Sequence, residues 1–154
     1  EVDDNFLGPA ALAKAQRFVQ DSRDGNTLAR VKELSKPGGI WDCTHCGECV
    51  ERCPKPAEPF DRIKEIMTVA LEQGVTNNNG ARHALSFTKS VKSSGSLNEN
   101  IIPVESVGFF NAKGLFDLLP VGLRMLFKGK NPPILHKSID DVDDVKRIYR
   151  ELNE

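Results

Sequence analysis

Apolar side chains recur every three to four residues along much of the chain, which is the spacing of one face of an α-helix. The first stripe follows Gly8-Pro9, where the proline suits a first helical turn, and it ends before Gly25. Its members are Ala10, Ala11, Leu12, Ala15, Phe18 and Val19. A shorter stripe, which we expect Thr27 to cap, stops at the Pro-Gly-Gly sequence 37–39 and contains Leu28, Val31 and Leu34. The pattern predicts two helices before residue 40.

Three further segments have helical spacing. The first is stopped by Gly74 and carries Phe60, Ile63, Ile66, Met67, Ala70 and Leu71. The asparagine run 77–79 predicts the cap of the second, which ends near Gly95 and carries Ala84, Phe87 and Val91. The third is predicted from about Ile139, with acidic residues at 140–144 near its positive end. We expect its inward residues to be Ile139, Val142, Val145, Ile148 and Leu152.

The remaining C-terminal sequence is harder to interpret. Residues 96–107 predict an extended connector. Residues 114–127 are apolar on more than one face, are interrupted by Pro120 and are followed by Lys128 and Lys130. This segment is interpreted either as a helix that docks on a membrane subunit or lies at the membrane interface, or as a hairpin helix buried within the same domain.

Composition supports a helical protein without an electrostatic attraction for nucleic acid. Apolar residues make up 39%, charged residues 28% and aromatic residues 6% of the chain, and no segment has a convincing strand pattern. We therefore expect an all-α fold. With 21 basic and 22 acidic residues the net charge is −1, so no nucleic-acid partner is expected. No long uninterrupted apolar run predicts a transmembrane segment or a signal peptide. The first residue is Glu1 rather than methionine, which suggests a piece of a longer protein.

All four cysteines lie within residues 43–53. Disulfides between such near neighbours would close trivial loops, so metal chemistry in a reducing compartment is the better interpretation. The order C-x2-C-x2-C-x3-C-P is the bacterial ferredoxin run, in which the fourth cysteine ligates the other cluster. Zinc remains an alternative, although its four-cysteine sites usually comprise two separated pairs. We predict that Cys43, Cys46, Cys49 and Cys53 bind an iron–sulfur cluster and that no residue is catalytic.

Of three aromatic side chains near this run or beyond it, two have alternative interpretations. His45 is a cluster ligand or proton relay, or a solvent-facing spacer. Trp41 shields the cluster or touches a quinone, or is a core aromatic. His83 is most simply a residue of a helix surface.

Several short sequences together resemble one family. They are Phe6 to Leu12, Arg17-Phe18, Asp21 to Asp24, Gly39-Ile40-Trp41 before the cysteines and Pro54-Lys55 after them. Over residues 6–72 they resemble the carboxy-terminal half of a succinate dehydrogenase or fumarate reductase iron–sulfur subunit. Residues 80–83 and 90–95 resemble the related small subunit of heterodisulfide reductase. The resemblance implies an α-helical ferredoxin-like domain over residues 1–100 and a C-terminal helical extension over residues 101–154, either packed on it or docking a partner.

The resemblance also implies a ligand set. Family members carry a further cysteine group upstream of their Gly-Pro-Ala segment, and this sequence starts too late to include it. Cys43, Cys46 and Cys49 would then share one cluster with an upstream thiolate, while Cys53 completes a neighbouring cluster. Classical members have no cysteine at the position of Cys46. Its presence indicates a [4Fe-4S] centre in place of a [3Fe-4S] centre, and the non-classical branch whose membrane partner resembles a heterodisulfide reductase subunit.

The implied function is a non-catalytic relay of single electrons between a flavoprotein subunit and a membrane quinone-site subunit. The expected location is cytoplasmic and peripheral on the inner membrane through partner subunits, with the periplasmic side as the alternative. Two rival functions remain at this point. One is a heterodisulfide reductase or glycolate oxidase type of iron–sulfur subunit, and the other is an interaction module stapled by zinc.

Overall fold

The computed structural model describes residues 4–133 and 136–152, and every regular element within them is helical. This confirms the predicted all-α class. The ends of the predicted domains, at residues 1 and 154, lie outside the described residues. In chain order the helices are α1 Gly8–Val19, α2 Thr27–Leu34, α3 Glu48–Glu51, α4 Pro59–Glu72, α5 Asn79–Ser94, α6 Ile101–Val107, α7 Ala112–Phe127 and α8 Val142–Glu151. A single 3-10 turn, Ile40–Asp42, precedes α3.

The chain divides into two compact units, Glu1–Ala81 and Arg82–Glu154. In the first unit α1 packs mainly against α4, and α2 packs against both. The buried apolar side chains between them are Leu12, Val19, Val31, Ile40, Ile63, Ile66, Met67 and Ala70. The predicted domain boundary after residue 100 differs from this division and stays a prediction.

The three apolar stripes of the first unit supply its core, with some errors at their edges. Ala10, Ala11, Phe18 and Leu28 were expected on the apolar face but are exposed. Phe18 instead lies under the guanidinium of Arg30, 5.6 Å from its ring centroid. A helix of three turns can bury only the residues that face its partners, so the outer members of a broad stripe stay in solvent.

Two expected caps have different outcomes. Thr27 is the first residue of α2 rather than its cap, which is Asn26, and the Thr27 hydroxyl donates to the carbonyl of Val19 at 3.4 Å. The asparagine run does cap α5 as predicted, because the side-chain oxygen of Asn78 accepts from the backbone N–H of Ala81 at 2.7 Å.

The second unit departs most from expectation. Residues 101–107 form α6 rather than an extended connector, and α7 runs without interruption through Pro120. Helix α8 begins at Val142 instead of Ile139. The prediction of its inward residues was also wrong in part. Ile139, Ile148 and Leu152 are exposed, whereas Val142 and Val145 are half-buried. Amphipathic spacing predicts which face could be covered, but it does not show that another element covers it.

Helix α7 contains no buried residue, so the interpretation of residues 114–127 as a buried hairpin helix is wrong. None of the helices in the described ranges is long and apolar enough to cross a membrane.

Candidate iron–sulfur site

The four cysteines occupy a loop that begins on the core of the first unit. The 3-10 turn Ile40–Asp42 starts with the fully buried Ile40, and the Cys43 N–H donates to the Ile40 carbonyl at 3.4 Å. The Cys43 side chain itself packs against the edge of the core. Cys49 lies in α3, and Cys53 follows it, with its N–H donating to the Val50 carbonyl at 3.2 Å. The first cysteine is therefore fixed by tertiary packing and the later ones by local turns.

Two glycines allow the chain to enter this loop. Gly38 has a φ of 84°, and a Cβ there would collide with the backbone of Asn5. A Cβ on Gly39 would collide with the backbone carbonyl of Leu34. The backbone N–H of Gly38 also donates to the Asp42 carboxylate. These close backbone approaches require glycine, which is a stronger role than the helix termination expected for the Pro-Gly-Gly sequence.

Two residues of the loop have left-handed backbone. His45 has a φ of 58° and Gly47 a φ of 77°. Gly47 is the N-cap of α3 and its carbonyl accepts from Val50 at 2.9 Å. A non-glycine residue at positive φ is uncommon, and histidine is among the residue types enriched there. Nothing in the hydrophobic pattern or the cysteine spacing indicated this conformation at His45.

The surroundings of the Cys43 thiol change its pKa. Partial burial raises the pKa of the Cys43 thiol above its usual value, while a hydrogen bond from the His45 backbone N–H opposes this rise. Cys49 and Cys46 raise the pKa further, so their sulfurs lie within electrostatic reach of Cys43. A bound cation reverses this balance, because a coordinating thiol is deprotonated.

The chemistry of the donor set fits an iron–sulfur cluster. Cys46 is exposed and the other three thiols are half-buried, and all four are free of disulfides. Within the residues that the structure describes, no three His, Cys, Asp or Glu side chains are grouped closely enough to hold a metal ion. Thiolates are the ligands of iron–sulfur clusters, and the spacing of these four is that of the bacterial ferredoxin run.

The neighbouring aromatic residues take mostly structural roles. Trp41 packs against the core and its indole N–H donates to the Ser35 hydroxyl at 3.1 Å, which supports its interpretation as a core aromatic. A Cβ on Gly80 would lie 2.6 Å from the Trp41 Cβ, so the start of α5 packs closely against this half-buried tryptophan. His45 is exposed, and its ring meets Phe60 edge-on at 5.2 Å. His83 lies on the surface of α5 as expected, with Nδ1 3.0 Å from the Ser106 hydroxyl.

Comparison with known families places this loop within a recognised domain. Residues 9–57 match the family of the 4Fe-4S dicluster domain, a range that includes all four cysteines. Three curated relatives share 34–42% of the aligned residues with this chain. No solved structure matches the chain.

Each relative aligns with only part of its own length. The 8-methylmenaquinol:fumarate reductase iron-sulfur subunit of Wolinella succinogenes is 34% identical over 62% of this chain and 30% of the relative. The fumarate reductase iron-sulfur subunit of Mycobacterium tuberculosis is 42% identical over 45% of this chain and 28% of the relative. The succinate dehydrogenase iron-sulfur subunit of Coxiella burnetii is 34% identical over 46% of this chain and 30% of the relative. The chain thus spans less than a third of the length of these relatives.

Residues 9–57 are thus similar to the 4Fe-4S dicluster domain, and this match, together with the iron–sulfur relatives and the four cysteines, indicates an iron–sulfur cluster as the cofactor. Over part of its length the chain is homologous to the iron–sulfur subunits of fumarate reductase and succinate dehydrogenase, which confirms the resemblance found in the sequence.

Proposed function

We propose that this chain is the carboxy-terminal, cluster-binding part of an iron–sulfur subunit in a complex of the succinate dehydrogenase or fumarate reductase type. There it relays single electrons between a flavoprotein subunit and a membrane quinone-site subunit. The observation that carries the proposal is the ferredoxin-type run of four cysteines, held in one loop on a helical core and contained in the matched segment 9–57.

The proposed ligands are Cys43, Cys46, Cys49 and Cys53. The first three share one cluster with a thiolate from polypeptide upstream of this sequence, and Cys53 serves the neighbouring cluster. Helix α3 supports this division, because Cys49 lies within its single turn while Cys53 lies beyond its end. The short helix thus separates the last thiol from the other three.

The cluster supplies single-electron transfer, and the chain supplies position and surroundings. Cys43 connects the site to the buried core, and the His45 backbone N–H donates a hydrogen bond to its sulfur. Hydrogen bonds to sulfur and solvent exposure are two determinants of a cluster's reduction potential. The proposed site is therefore anchored on one side and open to solvent, and to a redox partner, at Cys46.

Cys46 also supports the non-classical branch of the family and a [4Fe-4S] rather than a [3Fe-4S] centre. The relative from Wolinella succinogenes, named for reduction of fumarate with 8-methylmenaquinol, aligns with more of this chain than do the other two relatives described above. We infer a complex that is peripheral on the cytoplasmic side of the inner membrane, held there by partner subunits. A heterodisulfide reductase or glycolate oxidase type of complex is distinguished by the flavoprotein that copurifies.

Anaerobic purification of the intact subunit tests the cofactor assignment. We expect a brown protein with broad absorption near 400 nm that bleaches on reduction and gives a paramagnetic resonance signal. Colourless, zinc-loaded protein that resists anaerobic reconstitution with iron and sulfide would instead support a zinc-stapled interaction module.

Replacement of one ligand tests the cluster type. Because Cys46 is exposed, Cys46→Ser removes a thiolate without disturbing the core, and we predict that the centre shifts toward a three-iron spectrum. Thr44→Ser, two residues before Cys46, is the control and should leave the spectrum unchanged. An unaltered four-iron spectrum in Cys46→Ser would mean that Cys46 is not a ligand.

A further inference from the structure

Helix α7 and the two residues Phe109 and Phe110 before it expose an unusual amount of apolar surface. Phe110 is fully exposed and Phe127, at the other end, is 85% exposed. The large apolar side chains that are more than half exposed here are Phe109, Phe110, Phe116, Leu119, Val121, Leu123, Leu126 and Phe127. Soluble proteins commonly expose apolar residues singly, whereas a contiguous set this large marks an interaction surface.

The helix is already formed and fixed at its first turn. The side-chain oxygen of Asn111 accepts from the Gly114 N–H at 3.1 Å, which caps α7. Helix α6 packs against α7, and a Cβ on Gly114 would collide with Val107 of α6. The exposed apolar residues are therefore presented on an ordered scaffold rather than by a chain that must first fold.

The charges of α7 share one narrow face. Lys113, Asp117 and Arg124 are separated by four and seven residues, so they project on the same side of the helix. The leucines at 115, 119 and 126 project from the opposite side, and Leu123 lies at the flank of that apolar face. A helix of 16 residues is about 24 Å long, shorter than the roughly 30 Å hydrocarbon core of a bilayer. This geometry suits a helix that lies in a membrane surface with its charged stripe toward water.

The excess of basic residues around α7 favours binding to a negatively charged surface. Residues 108–130 contain four basic side chains, Lys113, Arg124, Lys128 and Lys130, and one acidic side chain, Asp117. Three of the basic residues follow one another within the last turn and just beyond it, beside the exposed Phe127, and all three are exposed. Basic residues beside buried aromatic anchors are the pattern by which peripheral helices bind anionic lipids.

We propose that α7, with Phe109 and Phe110, binds directly to the surface of a bilayer that contains anionic lipid, inserting its leucine and phenylalanine side chains between the headgroups. This goes beyond the proposed function, in which partner subunits hold the complex on the membrane, and it does not depend on the cluster.

Vesicle flotation of the intact chain tests this proposal. We expect the chain to float with vesicles of phosphatidylcholine and phosphatidylglycerol, to bind pure phosphatidylcholine much less, and to lose binding as salt is raised. The double variant Phe116→Ser/Leu123→Ser should weaken binding more than tenfold, because both side chains are exposed and contribute apolar area to lipid. The matched control Leu28→Ser/Leu85→Ser removes exposed apolar residues from other helices and should bind like the parent.

A second pair of variants isolates the charges. Lys128→Gln/Lys130→Gln should weaken binding to the anionic vesicles about thirtyfold and flatten its salt dependence. The control Lys14→Gln/Lys32→Gln changes two exposed lysines of α1 and α2 and should have no effect. Circular dichroism checks that every variant keeps its helices.

Three results would overturn the proposal. One is a failure of the parent chain to bind vesicles of either composition at physiological salt. Another is equal binding by the α7 variants and their controls. The third is a chain that ignores lipid but is retained by a purified partner subunit, with Phe116→Ser/Leu123→Ser abolishing that retention, which would make α7 a subunit-docking helix.

Discussion

At the scale of single residues, His45 is the most specific constraint on the cysteine loop. Its φ of 58° lies in the left-handed region, where a side chain with a branched β-carbon is strongly disfavoured. Its ring also contacts Phe60 of α4 edge-on. The turn between Cys43 and Cys46 therefore depends on a residue that tolerates this conformation.

We predict that His45→Val lowers the free energy of unfolding by about 1–2 kcal/mol, because valine is forced into left-handed backbone. His45→Gly should relieve the backbone term while losing the contact with Phe60. Urea unfolding, followed by the fluorescence of the single tryptophan, Trp41, measures the free energy of unfolding of both variants. Thr44→Val is the control, since Thr44 does not have positive φ. Equal losses for His45→Val and Thr44→Val would contradict the argument.

At the scale of elements, two helices of the second unit contain a proline, and only Pro120 entered the sequence-based prediction, as an interruption of residues 114–127. Pro103 lies in the first turn of α6, where its missing N–H would have no helical acceptor in any case. Pro120 lies inside α7, where it removes one backbone hydrogen bond and yet does not end the helix. A proline can be tolerated mid-helix when the flanking turns are otherwise strong helix formers, as the leucines of α7 are. Periodicity across the proline was thus the better guide.

The pair of helices α5 and α6 is joined by a carboxylate. Glu105 of α6 accepts from Lys89 at 2.6 Å and from the Ser86 hydroxyl at 2.5 Å, both on α5. The Lys89 ammonium first, and then the Ser86 hydroxyl, hold the pKa of Glu105 below its ordinary value. The contact therefore stabilises the fold above the unfolded-state pKa of about 4.3, and this contribution is lost as the pH falls through the lower folded value.

We predict that Glu105→Gln lowers the free energy of unfolding at pH 7 by less than about 1 kcal/mol, since Lys89 is largely exposed and its charge is screened. The difference from the parent chain should shrink as the pH is lowered below about 4. Urea unfolding at a series of pH values measures this. The exposed Glu99→Gln serves as the control. A difference that stays constant down to pH 3 would exclude the ionised carboxylate as its source.

At the scale of the whole molecule, the two units differ in how much they bury. The first contains the apolar core, whereas Ile102 is the one buried apolar side chain among the described residues of the second. Burial of apolar surface is the main source of resistance to local opening. We predict that backbone amides in α1 and α4 exchange with deuterium at least about a hundredfold more slowly than those in α7 and α8.

Hydrogen–deuterium exchange of the intact chain, read by mass spectrometry, measures this difference. Comparable protection of α7 and α4 in vesicle-free solution would contradict it. The peptide containing α5 and α6 should be intermediate, because the ion pair of Glu105 and several serine hydrogen bonds replace an apolar core there.

The greater apolar burial of the first unit also explains why its structure was easier to predict from the sequence than that of the second unit. The stripes of α1, α2 and α4 predicted the first unit well because each faces a partner helix, and the cysteine spacing alone was enough to predict an iron–sulfur cofactor. The face of α8 could not be predicted, because spacing identifies a candidate apolar face without its partner. The left-handed backbone at His45 could not be predicted either, because neither the hydrophobic pattern nor the cysteine spacing specifies the backbone conformation of a single loop residue.

The position of the thiols also bears on the order of assembly in the cell. Every one of the four retains contact with solvent, although Cys43 also packs against the edge of the apolar core. This exposure leaves the thiols of the folded polypeptide within reach of iron and sulfide delivered from solvent. The same accessibility leaves the thiols open to oxygen until loading is complete.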